Sequence, residues 1–449
     1  MSRRETALRY FLEQEEYMNS RVSAGIEENR KAQTIVFFED KDGNPIKNVT
    51  FCAKQKTHDF NFGCNIFLLD EFGNEEKNKM YRDIYAKSFN YATVPFYWGA
   101  LEPEKGKPRY EKDSYKLYRL PAPDLVVDYC KENNIRMKGH CLVYDAYRPE
   151  WLTEDVGEMK YEIEKHFAEV SARYKDDIRD WDILNEMLSW NVYMYHRITR
   201  FFRAEDYVRF CFDCAKRYFP VNRKFINEAE GIWEEFRFTR TPYYMLLENE
   251  LMKGTEFDAI GIQCHEFVDK KDEGNFAEVR MNPVRIYNLL DTFGKLGKPI
   301  HISEVTLCAY DNSEENQAIQ AQMIENLYKI WFSHKSMDGI IYWNLIDGYT
   351  YLPPKEGTKP DLNSVESQYG GGLLNFDFTP KPAYKTLQRL INEEWHTEGK
   401  FNTIADSNRA VFRGFKGMYE ITTEYNGKKY TRQLHIDGNE DWENKIVLD

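Results

Sequence analysis

Two glutamates that each follow a short apolar run carry the side chains best suited to acid–base and nucleophilic chemistry. Glu186 ends the run Trp181–Glu186, and Glu304 ends the run Lys298–Glu304. Two carboxyl groups that face each other across a site can act as proton donor and nucleophile, which is the minimal equipment for cleaving a glycosidic bond. Glu186 and Glu304 are therefore the candidate catalytic pair.

Strand-like and helix-like runs alternate from about residue 58, and eight of each predict an α/β fold of the (β/α)8 TIM-barrel type. The strand-like runs are Phe60–Asn65, Tyr91–Phe96, Arg136–Tyr144, Asp180–Asn185, Lys224–Asn227, Ala259–Cys264, Ile300–Ser303 and Gly339–Leu345. The helix-like runs are 75–88, 122–133, 156–174, 204–217, 241–252, 282–295, 314–333 and 383–394. Active sites of such barrels lie at the C-terminal ends of the strands, so the ends of the fourth and seventh strands are expected to meet at one mouth.

The segments on either side of the barrel predict a small accessory β-module. Residues 1–57 begin with a polar amphipathic helix and continue as two strand-like runs around a turn, which predicts a β-hairpin. Residues 58–398 form the catalytic barrel. Residues 399–449 alternate apolar and polar positions, with Asn426-Gly427 as a hairpin signal. We expect the N-terminal hairpin and the C-terminal strands to bury one shared apolar face.

Charge and hydropathy argue against several classes of partner. The formal net charge of −13 is unfavourable for nucleic acid, which needs clustered Lys and Arg, and suits a neutral polyol. No run of about 18 apolar residues is present, so no membrane span is predicted. The charged N-terminus lacks the apolar core of a secretion signal, which predicts a cytoplasmic protein, or a secreted one whose signal has been removed.

Eight cysteines are scattered through the predicted strands and helices, a pattern that favours free buried thiols over a disulfide framework. Cys211 and Cys214 form a CxxC in a helix-like run with no second Cys or His pair nearby. We expect both to face the core, the alternative being a metal or redox site. No metal and no cofactor are predicted.

The residue before the first glutamate is a candidate for sugar binding. The Asn185 amide could contact a sugar 2-hydroxyl, an interaction that strengthens in the transition state of glycoside cleavage. An Asn-Glu dipeptide also occurs at Asn227-Glu228, again at a predicted strand end, so the dipeptide does not identify a site by itself.

Several motifs, in order along the chain, resemble those of glycoside hydrolase family 10, the large family of endo-β-1,4-xylanases. They lie between about residues 58 and 395, and together they are far more specific than any one of them. The motifs are Gly139–Tyr144 with Pro149–Trp151, Trp181–Glu186, Gly261–His265, Ile302–Glu304, Tyr342–Asp347, Gly371–Leu374 and Lys381–Tyr384.

The resemblance implies a role for each matching residue. Glu186 would be the general acid/base and Glu304 the nucleophile of a retaining mechanism. His265 would hydrogen-bond the nucleophile, which favours its charged form. Gln263 and His140 would contact sugar hydroxyls beside the cleaved bond.

The resemblance also implies that Trp343 would form the floor or wall of the subsite for the distorted sugar, but the rest of the sugar-binding side departs from the family pattern. After the second strand the Glu, Asn and Lys that grip the sugar are absent, and Tyr97 stands where the Lys is expected. Tyr144-Asp145 replaces a Trp-His pair, Tyr351 replaces a second Trp, and Thr306 replaces an Asp beyond the nucleophile. We take Tyr97, Tyr144 and Tyr351 as candidate substrate-binding residues.

The resemblance implies a polysaccharide or oligosaccharide substrate, foremost β-1,4-xylan or xylo-oligosaccharides. Because a rebuilt sugar grip changes preference, another β-linked glycan or glycoside cleaved by the same pair is an alternative. The loops 145–148 and 349–372 either narrow the cleft towards an exo-acting pocket or are simply solvated. From another class, the chain could be a non-catalytic carbohydrate-binding barrel. A phosphate-handling barrel is disfavoured, since Gly-rich loops do not follow the seventh and eighth strands. No oligomeric state is predicted.

Overall fold

The structure, a computed structural model, describes residues 2–188, 200–233, 240–355, 359–438 and 443–449. Its strands are β1 (Lys31–Glu39), β2 (Thr50–Gln55), β3 (Asn61–Asn65), β4 (Tyr91–Pro95), β5 (Arg136–His140), β6 (Asp180–Asn185), β7 (Arg223–Glu228), β8 (Ala259–His265), β9 (Ile300–Thr306), β10 (Met337–Tyr342), β11 (Glu398–Asn402), β12 (Arg409–Phe415), β13 (Gly417–Tyr425), β14 (Lys428–Ile436) and β15 (Glu443–Val447).

Strands β3 to β10 close into one parallel barrel, in which β10 pairs with β3. Nearly every residue of these strands is buried, as expected where helices cover the outside and side chains fill the inside. The predicted (β/α)8 TIM barrel is thereby confirmed. The third strand is shorter than predicted and ends at His140 rather than Tyr144.

Helices cover the barrel and precede it at the N-terminus. They are α1 (Arg3–Ala7), α2 (Arg9–Glu13), α3 (Glu15–Asn29), α4 (Glu75–Ser88), α5 (Trp98–Leu101), α6 (Pro123–Glu132), α7 (Val156–Tyr174), α8 (Tyr207–Tyr218), α9 (Pro242–Met252), α10 (Glu273–Arg280), α11 (Pro283–Gly294), α12 (Glu314–Ser333), α13 (Val365–Gln368) and α14 (Pro382–Arg389), the last continued by a π-helical turn, Leu390–Glu394. The predicted bounds 75–88, 156–174 and 314–333 match α4, α7 and α12.

Polar residues fix where the covering helices begin. The side chains of Asn74, Asp155, Thr241, Asn282 and Ser313 each accept a backbone N–H from the first turn of the helix that follows. Such caps satisfy N–H groups that have no partner inside the helix. Each helix therefore starts at a defined residue after its loop, which leaves the preceding strand end at the barrel mouth.

The accessory module consists of two sheets around their own apolar core. Strand β1 pairs with β12 and β15, whereas β2 pairs with β11 and β13. The two N-terminal strands thus lie in different sheets, which corrects the predicted hairpin. The chain crosses between the sheets so that Phe38 and Phe51, with ring centroids 5.3 Å apart, face the same core. The expected shared apolar face is present.

The Asn426-Gly427 turn joins β13 and β14 as predicted. Tyr425 pairs with Lys428, and the two turn residues have φ values of 50° and 75°. Positive φ at both positions is the requirement of the two-residue turn that suits a twisted hairpin.

The N-terminal region divides between the two bodies. The polar amphipathic helix predicted at the N-terminus is three helices, and Phe11, Met18 and Val22 from them join the core of the barrel. None of the helices within the described ranges combines the length and the apolar content of a membrane span.

The eight cysteines are all free. Cys52 is exposed and the other seven are buried. Cys211 and Cys214 both point into the core from α8, as predicted for this CxxC.

Candidate active site

The structure brings Glu186 and Glu304 together at the C-terminal mouth of the barrel. Glu186 directly follows β6, and its N–H donates to the Asn227 carbonyl at 3.0 Å. Its φ of 52° lies in the left-handed region, which is uncommon for a residue with a side chain. Burial and the nearby Glu304 carboxylate raise the pKa of Glu186 above its usual value. Glu186 is therefore suited to carry a proton at a pH where an ordinary glutamate has lost it.

Two neighbouring side chains hydrogen-bond Glu304, which is 4% exposed. Asn227 donates from Nδ2 to Oε1 at 3.0 Å, and His265 Nε2 lies 3.2 Å from Oε2. The other ring nitrogen of His265 lies 2.9 Å from the Thr306 hydroxyl. A neutral imidazole that donates from Nε2 accepts at Nδ1, so Thr306 orients the ring. Both contacts stabilise negative charge on Glu304.

Two other side chains hold Glu186. The Tyr144 hydroxyl donates to Oε2, and Gln263 Nε2 donates to Oε1 at 3.1 Å. Tyr144 and Gln263, both predicted to bind substrate, thus also position the candidate acid. In the barrel sheet Gln263 lies opposite Glu304 on the neighbouring strand. The residue that hydrogen-bonds Glu186 is therefore a direct neighbour of Glu304.

His140 is held by a buried ion pair. Its Nδ1 lies 2.8 Å from Asp182 Oδ2, which also pairs with Lys138 Nζ at 2.8 Å. Burial acts to raise the pKa of Asp182, but Lys138 and His140 together hold it below its usual value. The other nitrogen of His140 lies 3.2 Å from the Tyr97 hydroxyl and 4.0 Å from Glu304 Oε1. His140 and Tyr97 therefore border the candidate nucleophile.

Trp343 forms an aromatic wall beside these groups. Its ring centroid lies 5.7 Å from that of His140, 6.0 Å from that of His265 and 5.4 Å from that of Phe67. The side chain is 5% exposed, so it presents an edge of the cleft rather than a free surface.

A buried polar group supports the Trp343 wall from behind. Glu366 accepts a hydrogen bond from Trp343 Nε1 at 3.3 Å and pairs with Arg119 at 3.3 Å. Arg119 also donates to the Asn344 side-chain oxygen at 2.6 Å. Tyr351 joins this group through its backbone N–H, 3.4 Å from Glu366, while its side chain is 47% exposed. Tyr351 thus lies at the rim.

A stacked tyrosine pair occupies the place where the family pattern has a lysine. The rings of Tyr97 and Tyr147 are 4.3 Å apart and nearly parallel. Tyr147 belongs to the loop 145–148, so this loop does border the cleft. Of the second loop, 349–372, residues 356–358 lie outside the described residues.

Asn227 is a site residue that the sequence reasoning missed. Its Nδ2 reaches both Asn185 Oδ1, at 2.7 Å, and Glu304, while Ser303 donates to its Oδ1. A Cβ on Gly261 would lie 2.1 Å from Asn227 Oδ1, so a larger residue at that position would displace the Asn227 side chain. The signal was the second Asn-Glu dipeptide at a strand end.

Glu228, the second residue of that dipeptide, is another residue near the site that the sequence reasoning did not identify. It is fully buried and accepts backbone N–H groups from Leu188 at 2.7 Å and Ala229 at 2.8 Å. Burial raises the pKa of Glu228 to about 8. Because Leu188 follows Glu186 by two residues, Glu228 fixes the start of the loop after the candidate acid.

The remaining predicted residue, Asn185, keeps its donor for a ligand. Its Oδ1 is taken by Asn227, and within the described residues its Nδ2 has no hydrogen-bond partner. Over the same ranges, no group of three or more His, Cys, Asp or Glu side chains is arranged to hold a metal ion.

A parallel eight-stranded barrel with two carboxyl groups at one mouth, after its fourth strand and in its seventh, has the equipment of a barrel glycoside hydrolase. The chain belongs to glycosyl hydrolase family 10, whose family model matches residues 55–390.

Two curated relatives show how the similarity is distributed. Anti-sigma-I factor RsgI6 of Acetivibrio thermocellus is 25% identical over 419 residues, which are 92% of this chain and 47% of the relative. Endo-1,4-beta-xylanase B of Cellvibrio japonicus is 26% identical over 293 residues, 65% of this chain and 42% of the relative. The chain thus spans less than half the length of either protein.

Solved structures share the fold. Xylanase 10B from Thermotoga petrophila RKU-1, in complex with xylobiose, is 20% identical with a TM-score of 0.57, covering 75% of this chain and 95% of that one. The family 10 structure from Paenibacillus barcinonensis is 21% identical with a TM-score of 0.58, covering 75% and 96%. At this identity the likeness establishes the barrel alone.

Proposed function

We propose that the protein is a retaining glycoside hydrolase that cleaves β-1,4-linked xylan or xylo-oligosaccharides. One observation carries the proposal: two buried carboxyl groups share the mouth, and the pKa of Glu186 is raised despite the hydrogen bonds that it accepts from Tyr144 and Gln263. Burial and Glu304 raise the pKa of Glu186, whereas Glu304 receives hydrogen bonds from an amide and an imidazole. This division into acid and nucleophile is what double displacement requires.

In the first step Glu304 attacks the anomeric carbon while Glu186 gives its proton to the leaving oxygen. The bond to the leaving group breaks, and a glycosyl ester forms on Glu304 with inversion at the anomeric carbon. Gln263 and Tyr144 keep the Glu186 carboxyl in place for the transfer.

In the second step the roles reverse. Glu186, now a carboxylate, takes a proton from water as the water oxygen attacks the anomeric carbon and displaces Glu304. Two inversions restore the original configuration, and both carboxyl groups return to their starting states.

The sugar in the reacting subsite would contact groups already in place. The Nδ2 of Asn185, which has no hydrogen-bond partner among the described residues, suits the 2-hydroxyl, and the exposed part of Trp343 borders the ring. The Tyr97 hydroxyl and His140 border Glu304 and can contact the neighbouring hydroxyls.

The xylan assignment is supported by the names of the relatives. The Cellvibrio japonicus relative is named an endo-1,4-beta-xylanase, and the Thermotoga petrophila structure contains xylobiose. The family membership of this chain agrees with both.

A second candidate is the same mechanism on another β-linked glycoside, with exo action. The observation that favours it is the Tyr97–Tyr147 stack, which puts two rings where the family pattern has a lysine that grips the sugar. Loss of hydrogen-bond donors to particular hydroxyls changes sugar preference by orders of magnitude.

Product analysis on xylan, xylo-oligosaccharides and a panel of aryl β-glycosides tests both candidates. We expect proton NMR to show the β-anomer as first product, and Glu304→Ala to abolish turnover. Glu186→Ala should also abolish turnover, yet release one equivalent of nitrophenol from a nitrophenyl glycoside, because that leaving group needs no proton. A first product with α configuration would refute the retaining mechanism, and no hydrolysis of any substrate would favour the non-catalytic barrel.

A further inference from the structure

A second cavity lies at the opposite end of the barrel from the two glutamates. It has a volume of about 510 Å³ and is lined by residues at the N-terminal ends of β3, β9 and β10. The end of α3 contributes Arg30, and the turn between β12 and β13 contributes Lys416. The N-terminal helices, the barrel floor and the accessory module therefore meet around one space, whose size is typical of small-molecule sites.

The cavity is lined by four cations, namely Arg30, Lys298, Lys335 and Lys416. Arg30 is tied to the backbone, donating to the Met337 carbonyl at 2.9 Å and to two further carbonyls. Across the described ranges none of the three lysines has an ion-pair partner. In contrast, Lys31, next to Arg30, pairs with Glu27 at 2.9 Å.

The carboxylates of the cavity already have partners elsewhere. Asp59 lies 2.8 Å from His435 Nε2, and Asp338 pairs with Arg223 at 2.6 Å as well as lying 3.3 Å from His301. The acidic groups are thus also engaged outside the cavity, and they offset the positive charge inside it only in part. This contrasts with a protein of net charge −13.

We propose that this cavity, hereafter the floor cavity, binds a small anion that carries phosphate or carboxylate groups. Lys298 lines it from the barrel and Lys416 from the module, and Arg30, which is fixed to backbone carbonyls, adds a further positive charge. The anion would join the module to the barrel floor, far from the catalytic pair.

The electrostatics around Lys416 agree with this arrangement. Burial and the charge of Arg30 lower the pKa of Lys416, and the charges of Asp59 and Asp437 offset this only in part. An anion between Lys416 and Arg30 would remove their mutual repulsion. Hydrogen bonds between an ammonium and an oxyanion are among the stronger polar contacts in proteins.

Isothermal titration calorimetry on the full chain tests the proposal. Inorganic phosphate and citrate are titrated separately at constant ionic strength, with chloride as the balancing anion. We expect at least one of the two anions to bind at a single site. Lys298→Gln and Lys416→Gln should each weaken the affinity for that anion roughly tenfold. Binding of phosphate but not citrate would identify a phosphate ligand, and binding of citrate but not phosphate would identify a carboxylate ligand.

Two control variants and one further cavity variant complete the test. Lys429→Gln changes an exposed lysine of the same module and should leave binding unchanged, as should Glu304→Gln at the opposite mouth. Lys335→Gln, at an exposed position, should weaken binding without endangering the fold. Dissociation constants above about 1 mM for both anions, or equal affinity in wild type and the Lys298 and Lys416 variants, would overturn the proposal.

Discussion

Asn227 donates a hydrogen bond of 3.0 Å from Nδ2 to Oε1 of Glu304. The same nitrogen reaches the side-chain oxygen of Asn185 at 2.7 Å, so one amide joins the ends of three barrel strands. Ser303 donates to the Asn227 oxygen and thereby fixes which way the amide faces. Asn227 is therefore a positioning residue for the proposed nucleophile.

We expect Asn227→Ala to lower kcat/KM by roughly 10- to 100-fold, because a hydrogen bond to a charged group is lost. Ser303→Ala, which acts on Glu304 only through Asn227, should cost less. Steady-state kinetics on an aryl β-xyloside measures both effects. Circular dichroism confirms that each variant is folded. An unchanged kcat/KM in Asn227→Ala would show that Asn227 has no direct role at Glu304.

In our proposal the pKa of Glu186 sets the alkaline limit of activity, and Tyr144 influences that pKa. Its hydroxyl bonds Glu186, and this bond lowers the pKa of Glu186 against the raising effect of burial. The acid must be protonated, so kcat/KM falls as the pH rises through the pKa of Glu186. Removing the hydroxyl raises that pKa further, so Tyr144→Phe should move the alkaline limb upwards by about one pH unit.

The matched control for Tyr144 is Tyr161→Phe, because Tyr161 is 68% exposed and lies on α7. Its pH profile should coincide with that of the wild type. An alkaline limb that moves down, or stays fixed, in Tyr144→Phe would mean that Glu186 is not the group that titrates there.

The barrel and its candidate pair could be predicted because both follow from local patterns. The alternation of apolar strands and capped helices predicts a barrel, and a barrel places the ends of its strands at one mouth. The partners of Glu186 could not be predicted in the same way. Tyr144 lies beyond the end of β5, so its direction depends on the path of an irregular loop.

The accessory module shows a second limit of sequence reasoning. The alternation of apolar and polar residues predicts one apolar face for β1 and one for β2. The same alternation is expected whether the two strands lie in one sheet or in two. The choice depends on strands some 370 residues away, since Phe37 pairs with Arg409 and Thr423 with Phe51. Pairing between the chain ends carries no local signal.

The shared core of the module makes its two chain ends interdependent. Phe412 is 4% exposed, and its ring lies 4.8 Å from Phe401 and 6.1 Å from Phe51. Phe412→Ala should therefore lower the free energy of unfolding by about 3–5 kcal/mol in urea titrations. Val411→Ala, one position along at 37% exposure, should change it by less than about 0.5 kcal/mol. A small loss for Phe412→Ala would mean that the two ends do not share a core.

Glu266 predicts a specific pH dependence of stability. It is fully buried and accepts the Cys308 N–H at 2.6 Å through Oε2, while its Oε1 has no hydrogen-bond partner among the residues that the structure describes. Burial, together with the nearby Glu273, raises the pKa of Glu266 to about 8. In the unfolded chain a glutamate has a pKa of about 4.3, so the folded state binds the proton more tightly.

The stabilising effect of that proton is complete below the unfolded pKa and is lost as the pH rises to about 8. Glu266→Gln keeps the shape of the side chain but cannot ionise. We therefore expect the free energy of unfolding of the wild type, relative to Glu266→Gln, to fall by on the order of 3 kcal/mol between pH 5 and pH 8. Urea titrations at both pH values measure this, with the exposed Glu315→Gln as control. A difference independent of pH would show that Glu266 has an ordinary pKa in the fold.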